Sequence, residues 1–493
     1  MFSEAILQDW DPAPFRAALV RAGYTPADLE AADLRRRGDP MARVHLAAKL
    51  LPADSPMLTC VQLFDLGEPV GGKAAMAVFG SEMLGLMRIG LLEGLGNDLV
   101  RSAAKLDANE HGWFAYDHPS ALASGRADYV MGEGNSSRML AALATAQKGE
   151  RVLDLGAGAG WGALRMAEKG CLVTAADLSE RALGFARFNA KLLGRNGIEL
   201  AQGDRFEPLA GRKFDAIASN PPFVISPQNT FVFRDGGGLK GDGFCESLVK
   251  LFPDYLEDGG IAIMVFNWYD QDADQWDRRP LEWARDSGCD VWLFRSERHL
   301  PADYAFRWLR ESGRGKMPPK EELNAWISYY AELGAVGINL GFMAMRKRPG
   351  GRNWQRSDSR TELKIVVTAG EEVRRIFECQ TWLEESPVAE DEEAILASRF
   401  RVPDGIFAET EMSLEKGWAM RTIRLKSSGG LSYDGQVDEF ILRLLECCRK
   451  GGTPGEMLTE ILAKPEFAGV QGVGGQIAGL VREMVRHGLM LPK

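Results

Sequence analysis

The sequence lacks the features of several large classes of protein. Its apolar runs fall short of the ~20 residues of a membrane-spanning helix, and Glu4, Asp9 and Asp11 stand where a secretory signal would be basic. The seven cysteines include no Cys-x-x-Cys pair, which argues against a disulfide framework or a structural zinc site. The five histidines show no metal-ligand spacing, and no Gly-x-Ser-x-Gly elbow occurs. We therefore expect a cytoplasmic protein with neither a resident metal nor a serine nucleophile.

Excess basic charge is also absent. The 493 residues carry 59 Lys and Arg against 69 Asp and Glu, a formal net charge of −10, which opposes nonspecific binding to nucleic acid. One basic strip is the exception, and it consists of Arg346, Lys347, Arg348, Arg352, Arg356 and Arg360. This strip is interpreted either as a solvated linker or as a surface that contacts phosphates.

Hydrophobic periodicity divides the chain into three blocks. Residues 1–147 are mostly helical in pattern, with helical spacing from Gly72 to Leu106. Residues 148–348 alternate seven apolar strands with amphipathic helices, which predicts an α/β doubly wound domain. Residues 349–493 contain the strand-like run LKIVVTAG and a helical end, which predicts a small α+β domain. Both flanking blocks contain phrases typical of winged-helix modules, and packing scaffolds explain those phrases equally well.

The most specific local signal is a glycine-rich loop after the first strand of the middle block. The segment reads Arg151-Val-Leu-Asp154-Leu-Gly156-Ala157-Gly158-Ala-Gly160. Such glycines permit positive φ and close approach of a ligand, while the next helix presents its free N–H groups. The loop predicts a mononucleotide-like ligand, and it also matches a variant of the dinucleotide fingerprint.

Acids follow the next two strands. Asp177 closes the second strand, 21 residues after Gly156, where a carboxylate accepts hydrogen bonds from ribose hydroxyls. A nicotinamide enzyme needs the same acid, so Asp177 does not discriminate between the two cofactors. Asp204 ends the third strand and precedes Arg205, and its alternative role is that of a turn or helix-cap residue.

The discriminating motif follows the fourth strand and reads Asn220-Pro221-Pro222-Phe223. Two prolines cannot continue a central strand, so the chain must turn at the ligand-binding edge of the sheet. The Asn220 side-chain carbonyl and the Pro221 backbone carbonyl are then placed to accept N–H bonds from a planar nitrogen. Phe223 is expected to stack on the same planar group.

Together the glycine loop, its preceding acid and the Asn-Pro-Pro-Phe motif resemble the class I S-adenosylmethionine-dependent methyltransferases, in particular the HemK/PrmC-like "methyltransferase small domain" type. The resemblance covers about 200 residues, Lys148 to Arg348. It implies a Rossmann-like seven-stranded sheet with an antiparallel last strand. It also implies S-adenosyl-L-methionine as the cofactor and S-adenosyl-L-homocysteine as its product.

The resemblance further implies a set of site residues. Asn220, Pro221, Pro222 and Phe223 would be catalytic. The segment from Tyr129 to Ser137 would lie over the cofactor mouth, with Asn135 and Ser137 as supporting contacts. The residues implied in cofactor binding are Asp154, Gly156, Ala157, Gly158, Gly160, Asp177, Leu178, Asp204, Arg205 and Asn220.

Two further segments are candidates for the acceptor side. The glycine-rich loop 234–243 is either a cover that closes on substrate or a surface excursion. The insertion 301–334 carries aromatic residues that build either a substrate wall or the core of a helix pair.

The sequence therefore predicts an N-methyltransferase that acts on an amide or exocyclic amino nitrogen. A protein glutamine or peptide, an RNA or DNA base and a small molecule remain open as acceptors, with a macromolecule expected and no membrane partner. Two alternatives use the same loop. One is an inactive module that binds the cofactor, and the other is a nicotinamide-dependent oxidoreductase.

Overall fold

The structure is a computed structural model. It describes residues 2–34, 45, 49–228, 231–312, 316–360, 369–414, 418–431, 433–464 and 471–493. No helix in these ranges is both long enough and apolar enough to cross a membrane.

The N-terminal block combines short helices with two small antiparallel sheets. Its helices are α1 (Glu4–Leu7), α2 (Ala13–Arg21), α3 (Pro26–Ala31), α4 (Pro56–Cys60), a π-helical segment (Val61–Leu66), α5 (Gly72–Phe79), α6 (Glu82–Arg88), α7 (Pro119–Ala123) and α8 (Asn135–Leu143). Its strands are β1 (Val70–Gly71), β2 (Leu92–Gly96), β3 (Leu99–Ser102), β4 (Lys105–Asn109) and β5 (Gly112–Tyr116).

The predicted helical stretch from Gly72 to Leu106 is wrong beyond Arg88. The chain reverses between β2 and β3, where Gly96, Asn97 and Asp98 all have positive φ, a backbone conformation that helices do not contain. The first small sheet has the order β1-β3-β2, and its strands β2 and β3 follow the consecutive helices α5 and α6. This arrangement is compatible with the winged-helix-like prediction, which stays a prediction.

The middle block is built around one large mixed sheet. Its helices are α9 (Trp161–Glu168), α10 (Glu180–Leu192), α11 (Gly243–Tyr255), α12 (Arg278–Trp283), α13 (Pro301–Ser312) and α14 (Lys320–Leu333), with short 3-10 turns at Glu207–Leu209, Gly236–Gly238 and Ala273–Gln275. The strands are β6 (Arg151–Leu155), β7 (Leu172–Asp177), β8 (Glu199–Gln202), β9 (Phe214–Ser219), β10 (Leu256–Asp270), β11 (Cys289–His299), β12 (Gly337–Lys347) and β13 (Gln355–Ser359).

The sheet order is β13-β11-β12-β10-β9-β6-β7-β8. Strands β6 to β10 run parallel to their neighbours within that group, and β12 runs antiparallel to both β10 and β11. Val152 packs in a cluster on one face of β6, and Leu153 packs in another on the opposite face. Apolar burial on both faces explains why the strands read as continuous hydrophobic runs.

The α/β class is confirmed, but the sheet has eight strands where seven were expected. The extra strand β13 lies beyond residue 348 and pairs in parallel with β11. Its sequence, QRSDS, is polar because it forms an edge of the sheet, so no hydrophobic pattern marked it. Buried Trp354 precedes it, and Trp292 on β11 donates from Nε1 to Asp358 Oδ2 at 2.7 Å.

The C-terminal block joins a helical cluster to two further small sheets. Its helices are α15 (Ala369–Glu385), α16 (Pro387–Glu390), α17 (Glu392–Ala397), α18 (Glu439–Arg449), α19 (Pro454–Leu462) and α20 (Val473–Arg486). The strands are β14 (Phe400–Arg401), β15 (Ile406–Leu414), β16 (Trp418–Ser427), β17 (Asp434–Val437) and β18 (Leu491–Pro492). Residues 363–368 of the strand-like run LKIVVTAG lie outside the described residues, and Ala369 and Gly370 begin α15.

The N-terminal block is packed against the middle block through α10. The ring of Phe2 stacks on Phe188 with centroids 4.4 Å apart. The buried Asn189 side chain donates to the carbonyl of Ala115 at 2.8 Å and accepts from its N–H at 2.7 Å. Asn189 also donates to the carbonyl of Ala159 at 3.0 Å, so one side chain ties β5 to the glycine-rich loop.

Candidate functional site

A cavity of about 630 Å³ lies at the carboxyl ends of β6, β7 and β9, the edge at which doubly wound sheets bind ligands. The predicted residues that line it are Ser137, Gly156, Ala157, Gly158, Asp177, Leu178, Asp204, Arg205, Asn220, Pro221, Pro222 and Phe223. The lining does not include Asp154, Gly160 or Asn135. Asn135 is exposed at the start of α8.

Asp154 is buried and binds the first turn of α9, the helix that follows the glycine-rich loop. Its Oδ2 accepts the N–H of Ala163 at 2.6 Å. Burial raises the pKa of Asp154 to about 7, against the lowering effect of that N–H. A Cβ on Gly162 would lie 2.8 Å from the same oxygen, so only glycine allows the carboxyl to approach the helix.

The glycines of the loop have different neighbours. Gly158 has φ +55, and a Cβ there would meet nothing within 4 Å, so the space beside it is open to a ligand. Gly160 has φ +86, and its Cβ would meet Ala186 on α10 at 2.9 Å. Gly158 therefore leaves room for a ligand, whereas Gly160 lets two elements of the protein approach each other.

Asp177 is held at the end of β7 by two backbone donors. Its Oδ2 accepts from Gly158 N and its Oδ1 accepts from Ser179 N, both at 2.8 Å. Burial raises the pKa of Asp177, and these two N–H groups oppose that shift. Each carboxylate oxygen has room for a further hydrogen bond, so the fixed carboxylate can also receive hydroxyl donors from the cavity.

Asp204 also lines the cavity. Its Oδ2 accepts from Arg205 Nε at 3.1 Å and from Arg205 Nη2 at 3.0 Å. Arg205 has φ +49, an uncommon conformation for a non-glycine residue. The turn places both neighbouring side chains on the cavity lining.

The Asn220 amide is oriented by two hydroxyls of α8. Its Nδ2 donates to Ser136 Oγ and to Ser137 Oγ, each at 3.2 Å. Its Oδ1 is buried and has no hydrogen-bond partner among the described residues. A buried acceptor without a donor costs about 1–3 kcal/mol, so a ligand that donates a hydrogen bond to this oxygen would gain affinity from it.

The glycine-rich loop 234–243 is packed against its surroundings. Gly237 has φ +57, and a Cβ there would lie 2.3 Å from the Phe244 ring. Arg234 and Asp235 are buried and form an ion pair at 2.6 Å. Gly237 and Arg234 line the cavity, so the loop supplies part of its wall.

Sequence patterns missed several lining residues because these lie far away along the chain. Phe114, Leu122 and Asp128 belong to the N-terminal block. Trp308 of α13 also lines the cavity, as the substrate-wall interpretation of the insertion 301–334 expected. Trp161 also lines the cavity, and its position directly after the glycine-rich loop was the one local signal available for it.

The basic strip is neither a solvated linker nor a free surface for phosphates, because most of its cations bind other parts of the protein. Arg346 and Arg348 converge on buried Asp290 at 2.7 and 2.9 Å, and Arg348 also pairs with Glu385 of α15 at 2.5 Å. Burial alone would raise the pKa of Asp290, but the hydrogen bonds from the two arginines outweigh it and lower the pKa. These cations bind the sheet to the C-terminal block.

Three further cations of the strip donate hydrogen bonds to backbone carbonyls of the protein. Lys347 donates to the carbonyl of Leu256 at 3.1 Å. Arg356 donates to the carbonyl of Arg486 at 2.7 Å, and Arg360 donates to that of Leu431 at 3.1 Å. At Arg352 the side chain is exposed, while its backbone N–H donates to Glu385 at 3.1 Å.

Two families of known proteins match separate parts of the chain. Residues 132–269 match the family described as methyltransferase small domain. Residues 374–492 match a domain of unknown function, DUF7782.

The similar curated proteins are named release factor glutamine methyltransferase. The protein of Xylella fastidiosa (strain 9a5c) is 39% identical over 134 residues, which is 25% of this chain and 48% of that protein. The Escherichia coli (strain K12) protein is 41% identical over 138 residues, again 25% of this chain and 48% of that protein. The chain thus spans about half the length of the curated relatives that it matches.

Solved structures of methyltransferases are also similar. A methyltransferase from Pyrococcus furiosus has 19% identity and a TM-score of 0.25, and the match covers 41% of this chain and 77% of that one. The family match and the curated relatives by themselves identify residues 132–269 as a methyltransferase small domain, of the class I S-adenosylmethionine-dependent type.

Proposed function

We propose that the protein is an S-adenosylmethionine-dependent N-methyltransferase that methylates the side-chain amide of a glutamine in another protein. The observation that carries the proposal is the Asn220 amide. Its nitrogen is fixed by two serines, while its oxygen, buried beside the cavity, has no donor among the described residues. An amide N–H of an acceptor would supply that donor.

The cofactor half of the cavity suits an adenosine-containing ligand. The open space at Gly158 would admit the ligand close to the backbone, and Asp177 would accept hydrogen bonds from ribose hydroxyls. Asp204 and Arg205 would lie beside the base. S-adenosylmethionine, when bound, supplies a methyl group on a positively charged sulfur.

The acceptor half orients a nitrogen that is a poor nucleophile. An amide nitrogen is planar, and its lone pair is delocalised into the carbonyl. Acceptance of its N–H bonds by Asn220 Oδ1 and by the Pro221 carbonyl would fix its direction and stabilise the positive charge that develops there. Phe223 lines the same cavity and would pack on the planar amide.

The charges around the cavity favour a protein acceptor over a nucleic acid. The carboxylates that line it belong to Asp128, Asp177, Asp204 and Glu311. The lining cations are Arg205 and Arg234, and each is already bonded to a neighbouring acid. Nucleic-acid binding depends on cations that neutralise phosphates, and the basic strip is occupied with contacts inside the protein.

The names of the curated relatives identify the probe for the first experiment. Purified protein is incubated with Escherichia coli release factor and S-adenosylmethionine that carries a labelled methyl group, and the products are mapped by mass spectrometry. We expect one methyl group on a glutamine side chain, together with saturable binding of S-adenosylhomocysteine in calorimetry. Cofactor binding without methylation of any protein or peptide would favour the inactive module, and binding of NADH instead would favour the oxidoreductase.

A further inference from the structure

The insertion between β11 and β12 forms a pair of packed helices, α13 and α14. Tyr304, Trp326 and Tyr330 are buried between them, in one cluster with Val224 and Ile225. Val224 and Ile225 directly follow the Asn-Pro-Pro-Phe motif. These three aromatic residues are therefore core residues, and that core includes Val224 and Ile225, which continue the Asn-Pro-Pro-Phe motif.

Two tyrosines of the pair bind both backbone groups of Ile225. The Ile225 N–H donates to Tyr304 Oη at 3.3 Å. The Tyr330 hydroxyl donates to the Ile225 carbonyl at 2.8 Å. Ile225 is fully buried, so neither backbone group has water as a substitute partner. The two phenols thus replace the strand or helix partners that a buried residue normally has.

The Tyr304 hydroxyl is itself held in place from the central sheet. Asn267 on β10 donates from Nδ2 to Tyr304 Oη at 2.5 Å, and Trp308 also hydrogen-bonds this hydroxyl. Burial raises the pKa of both Tyr304 and Tyr330. Both phenols remain neutral at physiological pH, and the Tyr330 hydroxyl keeps the proton that it donates.

The helix pair also contacts Phe223 and the glycine-rich loop 234–243. Trp308 lines the cavity, and its ring centroid lies 6.5 Å from that of Phe223. The Tyr329 hydroxyl accepts the N–H of Gly241 in the glycine-rich loop at 2.7 Å. The cofactor half is lined instead by residues at the ends of β6, β7 and β8, among them Gly158, Asp177 and Asp204.

We infer that α13 and α14 position the acceptor, with Tyr304 and Tyr330 as positioning residues that act through Ile225 and with Trp308 as a wall of the acceptor slot. This inference rests on the proposed N-methyltransferase function. A backbone held at Ile225 fixes the motif at one end, while Ser136 and Ser137 fix the Asn220 amide at the other. Displacement of a catalytic group by about 1 Å costs roughly 10²-fold in rate, so loss of either phenol should slow transfer without weakening cofactor binding.

The test uses hydroxyl deletions in the full-length protein. Tyr304→Phe and Tyr330→Phe each remove one hydroxyl and keep the ring. Tyr255→Phe is the matched control, because Tyr255 stacks on Phe206 and its hydroxyl has no hydrogen bond among the described residues. Trp308→Phe is a milder variant at the cavity wall, useful should a buried deletion impair folding, which thermal unfolding would report.

Three quantities are measured for each variant. We expect the dissociation constant for S-adenosylhomocysteine to stay within about twofold. Amide hydrogen exchange in segment 221–228 should become about tenfold faster in Tyr304→Phe and Tyr330→Phe. The kcat for methylation of release factor should fall about tenfold or more, while Tyr255→Phe stays at the wild-type value in all three measurements.

The outcomes separate this inference from the proposed function. If the wild-type protein does not methylate release factor, that acceptor is wrong, and the exchange data still decide whether the phenols hold the motif. Unchanged exchange in 221–228 would overturn the inference whatever the acceptor. An equal loss of cofactor affinity and of kcat would also overturn the inference, because α13 and α14 would then support the whole cavity and not the acceptor half alone.

Discussion

Replacement of Asn220 tests the acceptor site most directly. The Asn220→Ala substitution removes the unpaired Oδ1 and the Nδ2 that donates to Ser136 and Ser137. Asn220→Asp keeps an acceptor oxygen and loses the donor. Asn196→Ala is the control, because Asn196 is an exposed residue in the turn between α10 and β8.

The expected loss of kcat depends on whether the hydrogen bond from the acceptor nitrogen to Asn220 strengthens in the transition state. A hydrogen bond made to charge that develops in the transition state is worth about 3–4 kcal/mol, or about 10²–10³ in kcat. We expect Asn220→Ala to lose about 10²-fold or more in turnover. Asn220→Asp should retain at least about tenfold more activity than the alanine variant, because its carboxylate still accepts an N–H.

Cofactor affinity should change little in either variant. The Asn220 side-chain hydrogen bonds among the described residues go to the two serines, so the dissociation constant for S-adenosylhomocysteine should stay within about threefold. Calorimetry and initial rates of labelled methyl transfer measure the two effects separately. An equal loss of binding and turnover, or an alanine variant as active as Asn196→Ala, would refute the orienting role of Asn220.

Three further predictions concern the cofactor half. Asp177→Ala should weaken S-adenosylhomocysteine binding by about 1.5–3 kcal/mol, the scale of a hydrogen bond to a charged group; an unchanged dissociation constant would show that another acid binds the ribose. Gly162→Ala should lower the unfolding temperature, because its Cβ would lie 2.8 Å from Asp154 Oδ2. Gly158→Ala should lower the unfolding temperature as well, because Gly158 has φ +55, and it should also lower cofactor affinity, because its Cβ enters the open space beside the loop. Burial raises the pKa of Asp154 to about 7, so the folded state keeps this proton to higher pH than the unfolded state, and the associated stability is lost as pH rises through about 7. Asp154→Asn should remove this loss of stability. The unfolding temperatures of the wild-type and Asp154→Asn proteins, measured at about pH 5 and about pH 9, test this prediction. An equal change of unfolding temperature with pH in both proteins would contradict it.

The glycine-rich side of the cavity was largely predictable because its signals are local. A strand, a glycine-rich loop and a helix are contiguous in sequence, so the position of Gly158 beside open space follows from a short segment. The acids at the ends of β7 and β8 follow from strand periodicity alone. Topology then brings these strand ends together, because parallel neighbouring strands share one carboxyl edge.

The basic strip shows where local patterns fail. Its residues form the densest run of positive charge in the sequence, yet Arg346 and Arg348 both bind Asp290, which is more than fifty residues earlier in the chain. Whether a cation contacts a phosphate or an internal carboxylate depends on what the fold places opposite it. The composition of the strip therefore does not predict that these arginines bind Asp290.

The sequence by itself determined the class of the central domain, the glycine-rich loop and the Asn-Pro-Pro-Phe turn, because each depends on residue types at short spacing. Only the tertiary structure decided how Asn220 is oriented, that Phe114 and Leu122 line the cavity, and that Tyr304 and Tyr330 bind Ile225. Those contacts join residues about 80 to 105 positions apart. Such pairings are set by the packing of whole elements, whereas periodicity and motif spacing report only on neighbours along the chain.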